Sequence, residues 1–591
     1  MDNAIRTAAQ RWLEDPAIAE EDKVEIRDLV ESGDEKELTD RFYQELEFGT
    51  GGMRGVIGAG LNRMNVYTVG AAAQGLANYV AGQGKNAMTA GVVIAYDCRR
   101  KSDVFARRVA SVMAGNGVTA YLFDTLRPTP ELSFAIRHLG CTAGVVVTAS
   151  HNPPAYNGFK AYWTDGGQVT PPHDGAIIDK VRGVGGFGNI KSRDLDEARA
   201  MGLFKVIGRE VDEHFLHAVQ ESCLCPDICR EQGKSLKIVY TSLHGTGGQL
   251  IPEALKRRGF DQVIEVPEQA RPDGEFPTVK SPNPEEGAAL SMGIELARQR
   301  GAELVIGADP DGDRVGIACR RADGEFELVT GNRIGALLCY YICEQLTRSG
   351  RFPSNAVVLS TIVSSDMMKE IGRSYGAEVV ETLTGFKWIG RALHKYDTQG
   401  TAGRPSKEYV FGAEESYGYL PCRFTRDKDA VSSTAFIAEM AAWAADQGKS
   451  VLGLLEELFG RFGYYHEGAK SVVLPGKEGG EKIKGLMEGL RRSPPETIGG
   501  FDVRAVADIS TGENRDLATN EVIGRYEVPP SNVVIFTLAD GGKVIARPSG
   551  TEPKIKFYIL LKEPADDLER AREAAAGKVE TIVADLVARV G

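Results

Sequence analysis

Three aspartates at alternate positions are the clearest chemical signal in this 591-residue chain. Asp309, Asp311 and Asp313 lie in the segment GADPDGDRVGIA, which has β-rich runs on both sides. Carboxylates this close repel one another unless a cation compensates their charge, and hard oxygen ligands favour Mg²⁺ or Ca²⁺. An EF-hand loop would need glycine at its sixth position, where this chain has Arg314. The pattern predicts a Mg²⁺ site with one position left for a phosphate oxygen, which Arg314 could also hold.

A serine at the end of another β-rich run is the candidate nucleophile. In VVTASHNPPAYNG, Ser150 precedes His151 and two prolines, which fix the backbone and prevent a helix from starting immediately. A serine hydroxyl becomes a good nucleophile only when a base or a metal activates it. The alternative is a turn in which the hydroxyl merely caps the loop, and this segment alone does not decide between the two.

The segment FGAEESYGYL combines carboxylates with a hydroxyl. Glu414 and Ser416 offer the closely spaced groups that sugar hydroxyls need as partners, because a buried polar group without a partner is costly. An ordinary acidic turn is the alternative interpretation.

The segment ARPSGTEPKIKFY is suited to a phosphate. Backbone amides and hydroxyls in one turn donate hydrogen bonds, and a guanidinium can pair with two phosphate oxygens. The alternative is a β-turn with surface cations. The residues that would form the phosphate site are Arg547, Ser549, Gly550 and Thr551.

Composition excludes several classes of function. Hydrophobic residues make up 42% and charged residues 26%, as in ordinary globular proteins. The net charge of -12 does not attract nucleic acid or an anionic membrane. The first thirty residues read as acidic amphipathic helix and not as a signal peptide, and no run of eighteen apolar residues exists. We therefore predict a cytoplasmic protein that binds neither nucleic acid nor membrane.

The nine cysteines are mostly scattered. The one cluster, CLCPDIC, contains Cys223, Cys225 and Cys229 and lacks a fourth ligand at a usual zinc spacing. We interpret all nine as reduced structural thiols.

Alternation of short β-rich runs with helical stretches predicts α/β layers with mixed, mainly parallel sheets. Three times a β-rich run leads into a polar loop, and a second series of such runs also recurs, which indicates three related α/β domains. The end of the chain reads as antiparallel strands followed by a helix, a fourth domain of α+β type. Ligands in open α/β sheets bind beyond the carboxyl ends of strands, where these loops lie. The predicted domains are 1–205, 206–325, 326–450 and 451–591, with surface excursions at 183–188 and 476–500.

The four segments TASHNP, DPDGDR, GAEESYG and RPSGTEPK, in this order, closely resemble the α-D-phosphohexomutase superfamily over essentially the whole chain. Loop variants and length are most similar to its bacterial phosphoglucomutase branch, near the phosphoglucomutase-2 and phosphopentomutase group. The resemblance implies four domains around a central cleft, with the phosphate carried on Ser150. It also implies that the phosphoserine and the three aspartates hold Mg²⁺, that Glu414 and Ser416 bind sugar hydroxyls, and that the Arg547 loop grips the non-reacting phosphate.

Further positions match the family less sharply. FGTGGMRG resembles the family's amino-terminal substrate loop, YDCRRKS a second basic loop and TLTGFKWIG the specificity loop of the third domain. Basic groups near the transferring oxygen are implied at His151, Lys160 and Lys428, with His151 and Lys160 as general acid-base candidates and Lys428 counted among the substrate-binding residues. For Lys160 and Lys428 the alternative is an ordinary surface cation. The sugar loop has one residue more than the commonest form, and we adopt the Glu-x-Ser register. The substrate loops nominate Arg54, Arg99, Gly385 and Lys387.

The implied reaction interconverts glucose 1-phosphate and glucose 6-phosphate through a phosphoserine enzyme, with glucose 1,6-bisphosphate as intermediate and activator. Mannose and pentose phosphates remain alternative substrates. A serine-dependent phosphomonoesterase would use the same nucleophile and metal with water as acceptor, and a non-catalytic sugar-phosphate-binding protein is a further alternative. The partner predicted is a small phosphosugar, and the sequence sets no oligomeric state.

Overall fold

A computed structural model describes residues 2–49, 51–401, 403–474, 476–549 and 554–590. The chain forms two compact units. The first unit comprises Met1–Val329, Phe386–Ser406 and Tyr417–Gln447. The second unit comprises Thr330–Gly385, Lys407–Ser416 and Gly448–Gly591.

The helices of the described residues are, in chain order, α1 (Asn3–Glu14), α2 (Glu20–Ser32), α3 (Glu35–Phe42), α4 (Val66–Gly82), α5 (Lys85–Ala90), α6 (Ser102–Gly115), α7 (Thr129–His138), α8 (His173–Arg182), α9 (Leu195–Ala200), α10 (Arg209–Glu221), α11 (Pro226–Gln232), α12 (Gly247–Arg257), α13 (Gly287–Arg300), α14 (Gly331–Arg348), α15 (Asp366–Ser374), α16 (Lys387–Thr398), α17 (Ala430–Asp446), α18 (Val451–Phe462), α19 (Gly476–Arg492) and α20 (Leu568–Val590). A 3-10 turn covers Phe187–Asn189.

The strands of the same residues are β1 (Gly52–Val56), β2 (Val92–Tyr96), β3 (Ala120–Phe123), β4 (Ala143–Val147), β5 (Tyr156–Trp163), β6 (Phe204–Ile207), β7 (Ile238–Thr241), β8 (Val263–Glu265), β9 (Leu304–Ala308), β10 (Val315–Arg320), β11 (Phe326–Val329), β12 (Ala356–Thr361), β13 (Glu378–Thr382), β14 (Glu408–Glu414), β15 (Gly418–Leu420), β16 (Tyr464–Val473), β17 (Thr497–Ile498), β18 (Phe501–Asp508), β19 (Glu513–Asp516), β20 (Val522–Arg525), β21 (Val534–Leu538), β22 (Lys543–Pro548) and β23 (Lys554–Glu563).

Two sheets belong to the first unit. The first has the order β1-β5-β4-β2-β3-β6 and is parallel from β4 to β6, with β5 antiparallel to both of its neighbours. The second has the order β11-β10-β9-β7-β8 and is parallel across β9, β7 and β8. Their central strands read as continuous apolar runs because both faces are covered, as in AGVVV of β4, which is buried throughout.

The amino-terminal segment forms α1 and α2, and together with α3 these helices pack around Trp12. The indole meets Phe42, Tyr67 and Phe187 edge to face, with ring centroids 5.5–6.1 Å apart. Aromatic contacts of this kind contribute beyond the area they bury. The predicted amphipathic character of the first thirty residues thus corresponds to two helices with a shared apolar core.

The second unit holds a parallel sheet and an antiparallel one. Strands β13, β12 and β14 pair in parallel. The antiparallel sheet has the order β16-β23-β22-β21-β18-β19-β20, and β17 pairs with β18. Helices α19 and α20 cover one face of that sheet, which is the α+β arrangement predicted for the end of the chain.

The three sheets that contain parallel strands share one central order. Strand β4 pairs with β2 and then β3, β9 with β7 and then β8, and β14 with β12 and then β13, all in parallel. This common order confirms the predicted fold class of three related α/β domains followed by an α+β domain.

Two details differ from the predicted boundaries and excursions. Strand β6 extends to Ile207 and β11 begins at Phe326, so each sheet runs a few residues past its predicted end. The excursion predicted at 476–500 is wrong for α19, whose Ile483, Met487 and Leu490 are buried in the core of the antiparallel sheet. Within the described part of the chain, no helix combines the length and apolarity that crossing a membrane requires.

Candidate active site

Ser150 lies in the loop that follows β4, and its backbone is in the left-handed region with φ 53°. Its amide donates to Thr148 Oγ1 at 2.8 Å, which holds the turn. A non-glycine residue in this conformation costs about 1–3 kcal/mol and persists only where the surroundings enforce it. The buried hydroxyl Oγ donates to Asp309 Oδ2 at 2.8 Å. The first two predicted site residues are therefore in contact, although 159 positions separate them.

Arg99 fixes the backbone of the loop that contains Ser150. Its side chain is fully buried, and its guanidinium donates to the backbone carbonyls of Ser150, Asn152, Pro153 and Tyr156. Arg99 Nε also lies 3.3 Å from Asp97 Oδ2. The sequence nominated Arg99 as a substrate contact, whereas in the structure its two terminal nitrogens, Nη1 and Nη2, donate to backbone carbonyls of the protein. These hydrogen bonds stabilise the conformation of the loop that contains Ser150.

The three aspartates follow β9 and lie together in the first unit. One carboxylate oxygen of each lies within 4.8 Å of those of the other two. All three residues are buried, and Gly312, between two of them, has φ 65°, a conformation that favours glycine. Asp311 Oδ1 and Asp313 Oδ1 are buried and have no hydrogen-bond partner among the described residues. Orphaned buried carboxylate oxygens at this spacing fit a hard divalent cation, so the three residues can bind a metal ion.

Two lysines offset part of the negative charge. Lys160 Nζ, on β5, lies 2.8 Å from Asp311 Oδ2 and 3.7 Å from Asp313 Oδ2. Lys428 Nζ lies 3.0 Å from Asp313 Oδ2. Burial opposes ionisation of Asp311, but the charge of Lys160 holds its pKa below the ordinary value. Burial and the two neighbouring carboxylates raise the pKa of Asp309.

Three further predicted residues surround the serine loop. His151 Nδ1 lies 3.3 Å from Ser150 Oγ, and burial together with Arg314 lowers the pKa of its imidazole to about 3. Arg54, on β1, donates to Asn152 Oδ1 at 3.0 Å. Arg314 donates its amide to Asp309 Oδ1 at 2.9 Å and pairs through its side chain with Glu285 at 2.6 Å.

Thr129 contacts the cluster, and the sequence analysis missed it. Its amide donates to the carbonyl of Asp311 at 2.8 Å, and its buried hydroxyl lies 3.4 Å from Asp311 Oδ2. It begins α7, directly after Pro128. No motif marks it, because a Pro-Thr helix start occurs at many sites without chemistry. Only the packing of α7 against the aspartate loop reveals the contact.

In the second unit, β14 ends at the predicted sugar loop. Glu414 is buried, and its Oε1 accepts the amide of Gly385 at 2.6 Å, so two predicted residues are brought together. Glu415 Oε2 accepts from Thr361 Oγ1 at 3.1 Å and Ser364 Oγ at 3.3 Å, which ties the loop to the end of β12. Ser416 follows and is half-buried. Both glutamates therefore accept hydrogen bonds from the protein, and the Glu414-x-Ser416 register stays a prediction.

The predicted phosphate loop joins β22 to β23 in the second unit. Arg547 is half-buried, with Nη1 3.4 Å from the hydroxyl of Tyr558. The Ser549 amide donates to the carbonyl of Lys554 at 2.7 Å. Gly550 and Thr551, the other two predicted phosphate ligands, lie outside the described residues. Lys387 belongs to the first unit, where it begins α16 and lies 5.3 Å from the ring of Trp388.

Three family models match the chain in the order of its sheets. They are the phosphoglucomutase/phosphomannomutase α/β/α domains I, II and III, which match residues 45–184, 213–324 and 330–462. A phosphoglucomutase of Staphylococcus aureus (strain MRSA252) is 37% identical over 543 residues, which cover 92% of this chain and 94% of the relative. The chain belongs to the phosphoglucomutase/phosphomannomutase family. As a member, it is a phosphosugar mutase, an enzyme of the isomerase class, as the sequence predicted.

Solved structures agree on the fold. A phosphoglucomutase/phosphomannomutase family protein from Burkholderia thailandensis matches with a TM-score of 0.62 and 19% identity, over 90% of this chain and 98% of that one. The open form of parafusin, a phosphoglucomutase from Paramecium, matches with a TM-score of 0.66 and 16% identity, over 91% and 95%. At these identities the likeness supports the architecture alone.

Proposed function

We propose that this mutase interconverts glucose 1-phosphate and glucose 6-phosphate and carries its phosphate on Ser150. The observation that carries the proposal is the hydrogen bond from Ser150 Oγ to Asp309, which places the serine at the edge of a carboxylate cluster with orphaned oxygens. The Staphylococcus relative's name as a phosphoglucomutase supports glucose as the sugar.

The transfer would run in two halves. A hydroxyl of the bound sugar phosphate attacks the phosphorus of phosphoserine, the bond from phosphorus to Ser150 Oγ breaks, and a sugar bisphosphate results. The bisphosphate reorients and its other phosphate returns to Ser150 Oγ, which leaves the isomeric monophosphate. Each half moves one proton from the attacking hydroxyl and delivers one to the leaving oxygen. Lys160 and His151 are our candidates for that exchange, because Lys160 contacts Asp311 and His151 lies within 3.3 Å of Ser150 Oγ.

The aspartates would hold Mg²⁺ together with a phosphoserine oxygen. Bound there, the cation would neutralise charge on the transferring phosphoryl group, which is the main demand of phosphoryl transfer. Glucose 1,6-bisphosphate would serve as intermediate and as the activator that phosphorylates Ser150. Glu414 and Ser416 would bind sugar hydroxyls, while Gly385 holds Glu414 in place.

The remaining assignments concern phosphate and location. Arg547 with Ser549, Gly550 and Thr551 would grip the phosphate that is not reacting, because a guanidinium with amides and hydroxyls suits its oxygens. Arg54, Lys387 and Lys428 would supply further positive charge to the substrate. We also place the enzyme in the cytoplasm, a compartment in which nine free thiols are an ordinary complement.

The test is a coupled assay with intact-mass measurement of the enzyme. Wild type should convert glucose 1-phosphate faster than mannose, glucosamine or ribose 1-phosphate, and a fraction of it should carry one added phosphate. Ser150→Ala should lose both turnover and the phosphate, while the control Ser291→Ala, at an exposed serine on α13, should keep both. Full turnover by Ser150→Ala would refute the proposal. Free phosphate released in place of isomerised sugar would favour the phosphomonoesterase alternative.

A further inference from the structure

A pair of cysteines lies outside the site described above. Cys223 follows α10 and Cys229 lies on α11, and the structure brings their Sγ atoms to 3.8 Å. Cys229 is fully buried, whereas Cys223 is partly exposed. The pair therefore combines a partly exposed cysteine with a buried cysteine beside it.

The segment that carries the pair is held by a buried ion pair. Glu439, on α17, accepts the amides of Leu224 and Cys225 on Oε1 at 2.6 and 2.7 Å. Its other oxygen, Oε2, pairs with Arg258, and both side chains are completely buried. Because both carboxylate oxygens already have charged or amide partners, Glu439 is not available as a metal ligand. What remains at this place is a dithiol.

A second cysteine pair shows why this geometry matters. Cys339 and Cys343 are four residues apart on α14, and both are fully buried. Side chains at that helical spacing have Cβ atoms about 5–6 Å apart, beyond the roughly 3.5–4.5 Å of a disulfide. Cys223 lies outside any helix, so helical spacing does not fix its distance from Cys229, and the two Sγ atoms already lie 3.8 Å apart, against about 2.05 Å in a disulfide.

We propose that Cys223 and Cys229 form a reversible intramolecular disulfide when the enzyme meets a small disulfide oxidant such as oxidised glutathione. The Cys223 thiolate attacks one glutathione sulfur, a mixed disulfide forms and one glutathione thiolate leaves. Cys229 then gives its proton to solvent and attacks Cys223 Sγ, which releases the second glutathione. Two protein thiols are oxidised and one glutathione disulfide is reduced to two thiols.

The order of attack follows from accessibility and acidity. Hydrogen bonding with Cys223 and burial raise the pKa of the Cys229 thiol, so it is seldom a thiolate. A thiolate is the attacking species in disulfide exchange. The partly exposed Cys223 therefore reacts first with the oxidant, and the buried Cys229 reacts second, once the mixed disulfide has formed beside it.

The experiment uses the full chain, equilibrated in buffers of varied oxidised to reduced glutathione ratio, alkylated, and mapped by peptide mass spectrometry. Wild type should lose two alkylatable thiols, show one Cys223–Cys229 cross-link and recover both thiols with dithiothreitol. Cys223→Ser and Cys229→Ser should each abolish the cross-link. Because Cys223→Ser leaves the buried Cys229 unchanged, loss of the cross-link in this variant cannot come from a folding defect at the buried position.

The matched control is Cys225→Ser, which replaces a partly exposed cysteine of the same segment. This variant should form the cross-link as wild type does. Three results would each overturn the proposal. The first is a cross-link that maps to Cys225, and the second is loss of the cross-link in the Cys225→Ser variant. The third is nine alkylatable thiols at every glutathione ratio.

Discussion

Replacement of Arg99 by methionine should displace the loop that contains Ser150 without removing a contact to the substrate. The buried partner Asp97 would lose its counter-charge, and removal of one partner from a buried ion pair costs about 3–5 kcal/mol. The carbonyls that Arg99 now satisfies would also lose a donor, at about 1–3 kcal/mol for each that stays dry. These costs overlap because the groups share one network. We therefore expect a loss of at least about 3–5 kcal/mol in unfolding free energy.

The kinetic consequence should fall on kcat. Arg99 holds the carbonyl of Ser150, whose backbone is left-handed, and a displacement of about 1 Å at a reacting group can cost about 100-fold in rate. Arg99→Met should therefore lower kcat for glucose 1-phosphate by about 100-fold or more and change KM little. Denaturant unfolding and steady-state kinetics measure the two effects separately.

Two further variants make this prediction sharp. Arg100→Met removes the neighbouring arginine, whose pair with Glu275 is exposed, and should leave stability and kcat nearly unchanged. Asp97→Asn combined with Arg99→Met removes the uncompensated carboxylate, so it should recover part of the stability but not kcat. If Arg99→Met unfolded like wild type and only KM rose, Arg99 would be a substrate contact and our reasoning about the loop would be wrong.

Three other predictions concern the carboxylates. Asp311→Asn should lower kcat by more than about 100-fold, because loss of even an outer-shell partner of a metal ligand costs about 10–100-fold. In a matching experiment, dialysis of wild type against a chelator should abolish turnover, and added Mg²⁺ should restore it. Glu415→Gln weakens the bonds from Thr361 and Ser364 by about 1 kcal/mol, so KM should rise about fivefold with kcat nearly constant. Lys428→Met removes a cation 3.0 Å from Asp313, so metal affinity measured by calorimetry should rise about tenfold or more while kcat falls; unchanged metal affinity would contradict it.

The serine and the aspartate cluster could be predicted from the sequence because each follows a buried parallel strand. Strands β4 and β9 read as apolar runs that end in polar loops, and such loops lie at the ligand-binding edge of a sheet. Local pattern and general topology nominated Ser150 and Asp309 as candidates and the family resemblance implied their roles, although neither provides the distance between them.

The role of Arg99 could not be predicted in this way. An arginine in YDCRRKS can hold a phosphate or a backbone carbonyl, and the two alternatives look identical in the sequence. Its partners lie 51 to 57 residues further along the chain, so only the folded structure shows that carbonyls occupy its donors. The same limit applies to Thr129, whose partner Asp311 is 182 positions away.

Helix α19 shows a local failure. Its sequence GKEGGEKIKGLMEGLRR is rich in glycine and charge, which favoured a surface excursion. Yet Ile483, Met487 and Leu490 recur at the spacing of a helix face, and the antiparallel sheet gives that face a partner. The apolar period outweighed the glycines. Burial of three large side chains stabilises the helix by more than the glycines destabilise it, at about 1 kcal/mol for each glycine.

The lysines around the aspartates change the argument for a metal ion. From the sequence, repulsion among three carboxylates at alternate positions was the reason to expect a cation. The structure supplies two ammonium groups, Lys160 and Lys428, so charge alone is already partly compensated. These lysines nevertheless leave Asp311 Oδ1 and Asp313 Oδ1 buried and, among the residues that the structure describes, without a hydrogen-bond partner. A buried acceptor without a partner costs about 1–3 kcal/mol, and more when charged. These two oxygens, more than the repulsion inferred from spacing, make the cluster beside Ser150 suited to a metal ion.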